Sequence, residues 1–229
     1  MSLPRGEPAA GPWRVASLAT LARMLEHAAG TPVDRPRVIA IDGRSASGKS
    51  TLAGLLQREV PASAVVHTDD VAWHHSFFDW ADLLAGEVLE PLRHGRPVHF
   101  RPPGWEARGR PGAIDLPAKL GMVLVEGVGA GRRELADLLD AVVWVQSDFV
   151  EAERRGLARD IAQSVNGDAE QSATFWAEWM AEELAFIERQ RPWERACLIV
   201  AGTTVVAHER GQVVLAAPPW QHGSAHSFR

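Results

Sequence analysis

Val38-Ile39-Ala40-Ile41-Asp42-Gly43-Arg44-Ser45-Ala46-Ser47-Gly48-Lys49-Ser50-Thr51 is a short apolar run that breaks into a Gly/Ser loop and continues into Leu52-Ala53-Gly54-Leu55-Leu56. The pattern predicts strand, loop and helix. Gly43, Gly48, Lys49 and Ser50 fill every fixed position of G-x-x-x-x-G-K-[ST], the phosphate-binding loop. Two glycines allow the tight turn with which successive N–H groups converge on phosphate oxygens. The helix start near Lys49 adds its free amides and dipole. The whole run, Gly43, Arg44, Ser45, Ala46, Ser47, Gly48, Lys49, Ser50 and Thr51, is the expected nucleotide cradle. Lys49 is expected at the β and γ phosphates and the Ser50 hydroxyl at magnesium.

The charge composition sharpens this reading. Among 24 basic residues, lysine stands only at 49 and 119, and arginine is used elsewhere. A planar guanidinium cannot replace a compact ammonium inside a phosphate cradle, so a lysine kept there is above background. The 229 residues and 46% hydrophobic content suit one α/β domain. A net charge of −5 argues against a nucleic-acid binder. No apolar run reaches a membrane span and the first residues lack a signal-peptide pattern, so the expectation is a cytoplasmic protein without membrane or nucleic-acid partners. The lone Cys197, beside Leu198, Ile199 and Val200, reads as a buried strand residue.

Outward from the loop, residues 1–13 are rich in Pro, Gly and Ala without periodicity and are expected to be a flexible tail. Residues 14–217 are expected to form the single domain, and 218–229 a second tail. Val15, Leu18, Leu21, Leu25 and Ala28 predict a helix over 15–29. A second strand, residues 64–68, empties into Asp69 and Asp70, which places carboxylates at the sheet edge where open α/β folds bind ligands. Residues 71–117 read as a cap insertion. It holds Trp73, His74, His75, Phe77, Phe78 and Trp80, a helix over 81–93, and a turn-rich stretch with Arg101, Trp105, Arg108 and Arg110 suited to a substrate loop.

The run 121–125 is a buried parallel strand delivering Glu126 to the same edge as Asp69, in the manner of a Walker B acid. A short helix over 132–139, a strand over 141–145, a helix over 149–165 with Arg154, Arg155 and Arg159, and a long helix over 169–191 follow. A fifth strand covers 196–200, and 205–207 with 213–215 suggest a terminal hairpin. The fold class expected is a three-layer α/β phosphate-loop fold with a mostly parallel five-stranded sheet, a helical lid near 150–167 and a cap.

The chain lacks an Asn-Lys-x-Asp run for guanine, an ABC-type signature and further helicase motifs. From Val38 to Gly202 it resembles the uridine kinase, nicotinamide riboside kinase, pantothenate kinase and phosphoribulokinase group. The likeness rests on Ile41-Asp42-Gly43 and the loop, Thr68-Asp69-Asp70, Val125-Glu126-Gly127, Glu153-Arg154-Arg155 and Arg159-Asp160. It implies an ATP- and magnesium-dependent kinase acting on a hydroxyl of a small metabolite, as a monomer or homodimer. In that group the acid matching Asp69 takes the acceptor proton, and the acid matching Glu126 lies beside the metal with Ser50. Arg154, Arg155 and Arg159 match lid arginines over the transferring phosphate, and Ala201-Gly202-Thr203 matches the turn beside the adenine. Asp69 is also a candidate metal ligand, and Asp70 an alternative base or an N-cap.

The departures concern the acceptor. Val71-Ala72 stand between the acid pair and Trp73, and a Tyr-Asp pair expected near Arg101 is absent from a chain without tyrosine. Asp69, Trp73, His74, Phe77, Arg101, Trp105 and Arg108 remain the candidate acceptor residues, compatible with a nucleoside or similar ring compound. A nucleotide-binding switch or ATPase with little phosphotransfer is the alternative.

Overall fold

In the computed structural model, residues 1–164 and 166–219 are described. In chain order the elements are β1 (Arg14–Ser17), α1 (Leu18–Ala29), β2 (Arg37–Gly43), α2 (Lys49–Glu59), β3 (Ser63–His67) and α3 (Thr68–Ala72). The insertion after β3 follows with α4 (Ala81–Leu84), a π-helical turn (Ala85–Leu89), α5 (Glu90–Arg93), β4 (Val98–Phe100), α6 (Pro103–Ala107) and β5 (Ile114–Leu116), and its Leu84, Val88, Leu89 and Leu92 are buried in the main core. The chain then returns through β6 (Met122–Glu126), a 3-10 turn (Arg133–Leu138), β7 (Ala141–Gln146), α7 (Phe149–Gln163) and α8 (Ala169–Gln190). A 3-10 turn (Pro192–Arg195), β8 (Leu198–Ala201) and β9 (Gln212–Ala216) complete it.

Among the described residues the central sheet has seven strands in the order β1-β9-β8-β7-β2-β6-β3. The five inner and right-hand strands, β8, β7, β2, β6 and β3, are parallel, and they are the five read from their apolar runs. Being covered on both faces, β2, β6, β7 and β8 carry near-continuous aliphatic side chains instead of an alternating pattern, while the edge strand β3 is only part-buried. One core cluster, with Val38, Ala40, Val123, Val125, Trp144 and Phe186, fills one face. The other, with Leu21, Leu25, Ile39, Ile41, Leu52, Leu56 and Leu124, fills the opposite face under α1 and α2.

The two additional strands correct the expected five. Arg14–Ser17 is not the start of a helix: it pairs antiparallel with β9, Val15 lying opposite Val214, and Ser17 caps α1 by accepting from the Thr20 amide. The expected hairpin of 205–207 with 213–215 is replaced by β9 inserted between β8 and β1. A four-residue strand at a sheet edge is too short to show its own period, so Val15 merges with the helical spacing that follows it.

Residues 1–13, expected to be a loose tail, pack on the domain. Glu7 is buried, and the Ser2 amide donates to Asp148 Oδ2 at 2.6 Å. The cap hairpin of β4 and β5 forms its own two-stranded sheet, apart from the central one. Val165, the last residue of the expected 149–165 helix and part of the 150–167 lid, lies outside the described residues, as does 220–229 of the expected C-terminal tail. Among the described residues no helix is long and apolar enough to cross a membrane.

Candidate active site

β2 ends between β6 and β7, so the loop after it opens at the carboxyl edge of the sheet, in the position where α/β sheets place their ligand crevice. Gly48 turns the chain with φ 102° and ψ 9° into α2. A side chain there would be strained, and the turn is what frees the first amides of the helix. Gly202, after β8, braces the loop from outside. A Cβ on it would lie 1.9 Å from the Ser47 carbonyl oxygen, so only glycine permits this approach.

Lys49 is buried, and its Nζ donates to the Arg44 carbonyl at 2.8 Å. Ser50 Oγ donates to Glu126 Oε1 at 3.1 Å, which joins the loop to the end of β6. The other oxygen, Oε2, meets His67 Nδ1 at 2.7 Å. Burial raises the Glu126 carboxyl, but the bond to His67, the charge of Lys49 and the Ser50 hydroxyl outweigh it and hold the group below the ordinary value. The same contact holds the His67 imidazole above its ordinary range.

Asp69 lies in the first turn of α3 and is exposed at the sheet edge. The protein packed beside it raises its pKa. Lys49 works against the rise and Glu126 adds to it. Asp42 is wholly buried at the end of β2 and accepts from the amides of Gly43, Gly129 and Gly131 at 2.7, 2.9 and 2.8 Å. Burial pushes its carboxyl up to about 6 despite those bonds.

The acceptor candidates divide into two groups. Trp105 Nε1 donates to the Asp70 carbonyl at 2.8 Å, and Arg110 Nη2 to Asp70 Oδ1 at 2.8 Å. The Arg110 guanidinium lies 3.7 Å from the Trp105 ring centroid and 5.2 Å from that of Trp73, and Trp73 meets His74 edge-on. Trp105 is buried, so this cluster braces Asp70 instead of offering an open surface. Phe77 lies elsewhere, edge-on to Phe175 and Trp179 of α8. Arg101 is exposed and donates to the Arg110 carbonyl, and Arg108 is exposed. Asp70, the alternative base, has its carboxylate tied to Arg110. Among the described residues no group of three or more His, Cys, Asp or Glu could hold a metal ion.

Other members of the expected cradle are used differently from the sequence reading. The Arg44 side chain is buried and turned to Glu7, so only its backbone faces the loop. The Ser45 amide donates to the buried Glu183 carboxylate of α8, and Trp179 Nε1 donates to Ser45 Oγ at 2.7 Å. Of the lid arginines, Arg155 donates to the Ala46 carbonyl at 2.6 Å and reaches Gly202, which puts it on the outer wall of the loop. Arg159 pairs with its neighbour Asp160 and Arg154 is exposed; neither touches the loop. Helix α7 is nonetheless docked closely, since a Cβ on Gly156 would lie 2.0 Å from Trp176 of α8.

Five participants were not singled out from sequence. Glu7, His67 and Glu183 act on partners 37, 59 and 138 residues away, and nothing near them in the chain marks them. Asp42 appears only as part of Ile41-Asp42-Gly43, without a role, and Arg110 only as one arginine of a turn-rich stretch.

No protein-family model matches the chain, and no curated protein matches its sequence. Solved structures do. A Silicibacter sp. TM1040 protein assigned as a fructose transport system kinase superposes with TM-score 0.52 at 20% identity, over 69% of this chain and 87% of that one. A Bacillus stearothermophilus protein assigned as a possible uridine kinase gives 0.44 at 18%, over 79% and 98%. D-glycerate 3-kinase from Cryptococcus neoformans var. grubii gives 0.49 at 12%, over 83% and 98%. Only the first is close enough to weigh, and at its identity it speaks to architecture. The loop at the end of β2, the parallel strand order around it and this superposition together give the chain the phosphate-loop α/β fold of that kinase.

Proposed function

We propose that this protein transfers the γ-phosphoryl group of ATP to a hydroxyl of a small metabolite. The observation that carries the reading is the convergence of Lys49, Ser50, Glu126 and Asp69 at one sheet edge, with Ser50 bonded to Glu126 and the charge of Lys49 acting on both acids. Hydroxyl and carboxylate oxygens are the ligand class magnesium takes, so Ser50 and Glu126 fit the ion and would hold it. When bound it neutralises charge on the β and γ phosphates.

The loop amides not already bonded within the protein, those of Gly48, Lys49 and Ser50 among them, orient the phosphates, and Lys49 leaves the Arg44 carbonyl to meet them. Asp69 orients the acceptor hydroxyl and accepts its proton as the acceptor oxygen bonds to phosphorus. The bond from phosphorus to the bridging oxygen breaks, and its electron pair leaves with ADP. A carboxylate raised by its surroundings is a stronger base than an ordinary one, which suits that role. The part-exposed indole of Trp73, four residues beyond Asp69, is an aromatic surface that a nucleoside or another flat ring-bearing acceptor could stack on.

The test is a screen of nucleosides, vitamins and sugars for ADP release, with products identified by mass. The expected result is ADP matched one for one by a phosphorylated acceptor, lost in Lys49→Ala. ADP formed without any phosphorylated product across the screen would instead favour an ATPase or a nucleotide switch.

A further inference from the structure

Glu7 sits in the segment whose composition suggests a loose tail, yet its carboxylate is among the most completely partnered in the molecule. Oε1 accepts from Trp144 Nε1 at 2.8 Å and Gln146 Nε2 at 3.0 Å, and Oε2 accepts from Arg44 Nε at 3.0 Å. The side chains of Glu7 and Arg44 are only 1% and 5% exposed, so this is a buried ion pair. Arg44 Nη1 is also buried and has no partner among the described residues. Glu7 therefore compensates a charge that would otherwise be costly to bury.

Arg44 is the second residue of the phosphate loop, and its carbonyl is where both Lys49 Nζ and the Ser47 amide are held, at 2.8 and 3.0 Å. A force on the Arg44 side chain is thus transmitted directly to the lysine. The rest of the segment is anchored on either side. The Ala10 amide donates to Gln146 Oε1 and Gln146 Nε2 donates to the Pro8 carbonyl, at the end of β7. Ser2 exchanges bonds with Asp148 and Phe149, where Asp148 caps α7. Residues 2–10 thus join the end of β7, the phosphate loop and the start of the lid helix.

We infer that residues 2–10 form a strap that sets the phosphate loop for nucleotide binding, with Glu7 as the positioning residue acting through Arg44 on Lys49. The inference rests on the nucleotide-binding reading above, and its test separates the two. In the full chain, Glu7→Gln keeps an acceptor for Trp144 and Gln146 but removes the counter-charge of Arg44. Leu25→Ala, on the core-facing side of α1, serves as a control of lowered stability. The double variant Glu7→Gln/Arg44→Met removes the stranded charge and is expected to recover stability.

Two readouts are taken: magnesium-ATP affinity by calorimetry, and amide exchange of residues 43–50 in ligand-free protein. Expected are about tenfold weaker affinity and about tenfold faster exchange in Glu7→Gln, the scale of coupling within one bonded network. Both persist in the double variant although its melting point recovers, and neither appears in Leu25→Ala. Affinity that returns with stability in the double variant, or unchanged exchange in Glu7→Gln, overturns the strap. If the parent protein binds no ATP, the nucleotide reading fails and the strap's role in binding with it, while the exchange data still report whether Glu7 holds the loop.

Discussion

Asp69 and Glu126 belong to one cluster of charge but are shifted in opposite directions, and that difference assigns their work. Glu126, held low by His67, Lys49 and Ser50 after burial has been overcome, stays ionised as a metal ligand must. Asp69, raised mainly by crowding, is the better proton acceptor. Asp69→Asn is therefore expected to leave magnesium-ATP binding near normal while cutting single-turnover transfer about a hundredfold. Calorimetry with and without magnesium checks it. Parallel loss of binding and transfer, restored by excess metal, would make Asp69 a metal ligand and remove it from the base role. The direction of its shift also has a consequence for acid. As the base must be unprotonated, the acidic limb of kcat/KM is expected to fall at a higher pH than the ordinary carboxylate value of 3.8.

At the scale of elements, two contacts fix how the strands and helices present the site. Gly202 at the end of β8 lets that turn touch the Ser47 carbonyl. In Gly202→Ala one backbone must move, with an expected stability loss of about 1–3 kcal/mol by denaturant titration. Weaker nucleotide binding should accompany it. Asp140, just before β7, accepts from Arg35 at 2.7 and 2.8 Å, from Arg93 of α5 at 2.8 Å and from the Val38 amide of β2 at 2.9 Å. It ties α5 to the central sheet. Burial raises its carboxyl, but the Arg35 and Val38 bonds and the two positive charges prevail and lower it. Since its folded value lies below 3.8, the group contributes stability above about pH 4 that is lost as pH falls through the folded value. Asp140→Asn is expected to cost about 3 kcal/mol at neutral pH, because it leaves partly buried arginines unpaired. Its deficit against the parent should shrink on acidification below pH 4. A deficit that does not change with pH would show that hydrogen-bond shape, not charge, supplies the stability.

For the molecule as a whole, the nucleotide reading predicts stabilisation by mass action. Magnesium-ATP at a hundred times its Kd adds about 2.7 kcal/mol, which for a domain of this size raises the melting temperature by about 5–10 °C. No shift in the parent, or an equal shift in Lys49→Ala, would count against the loop as the binding site. The sequence by itself determined the phosphate loop, the strand and helix flanking it, the five parallel strands and the delivery of Asp69 and Glu126 to one edge. All of these are written in local signals: fixed residues at fixed spacing, and apolar runs closed by acids. The tertiary structure alone decided that Arg14–Ser17 is a strand, because only β9, two hundred residues away, gives it a partner. It also decided that Glu7 is buried, that Glu183 holds the Ser45 amide and that Arg110 lies between two indoles on Asp70. A charged residue carries no mark of its counter-ion, so its role becomes legible only when the fold brings that partner within bonding distance.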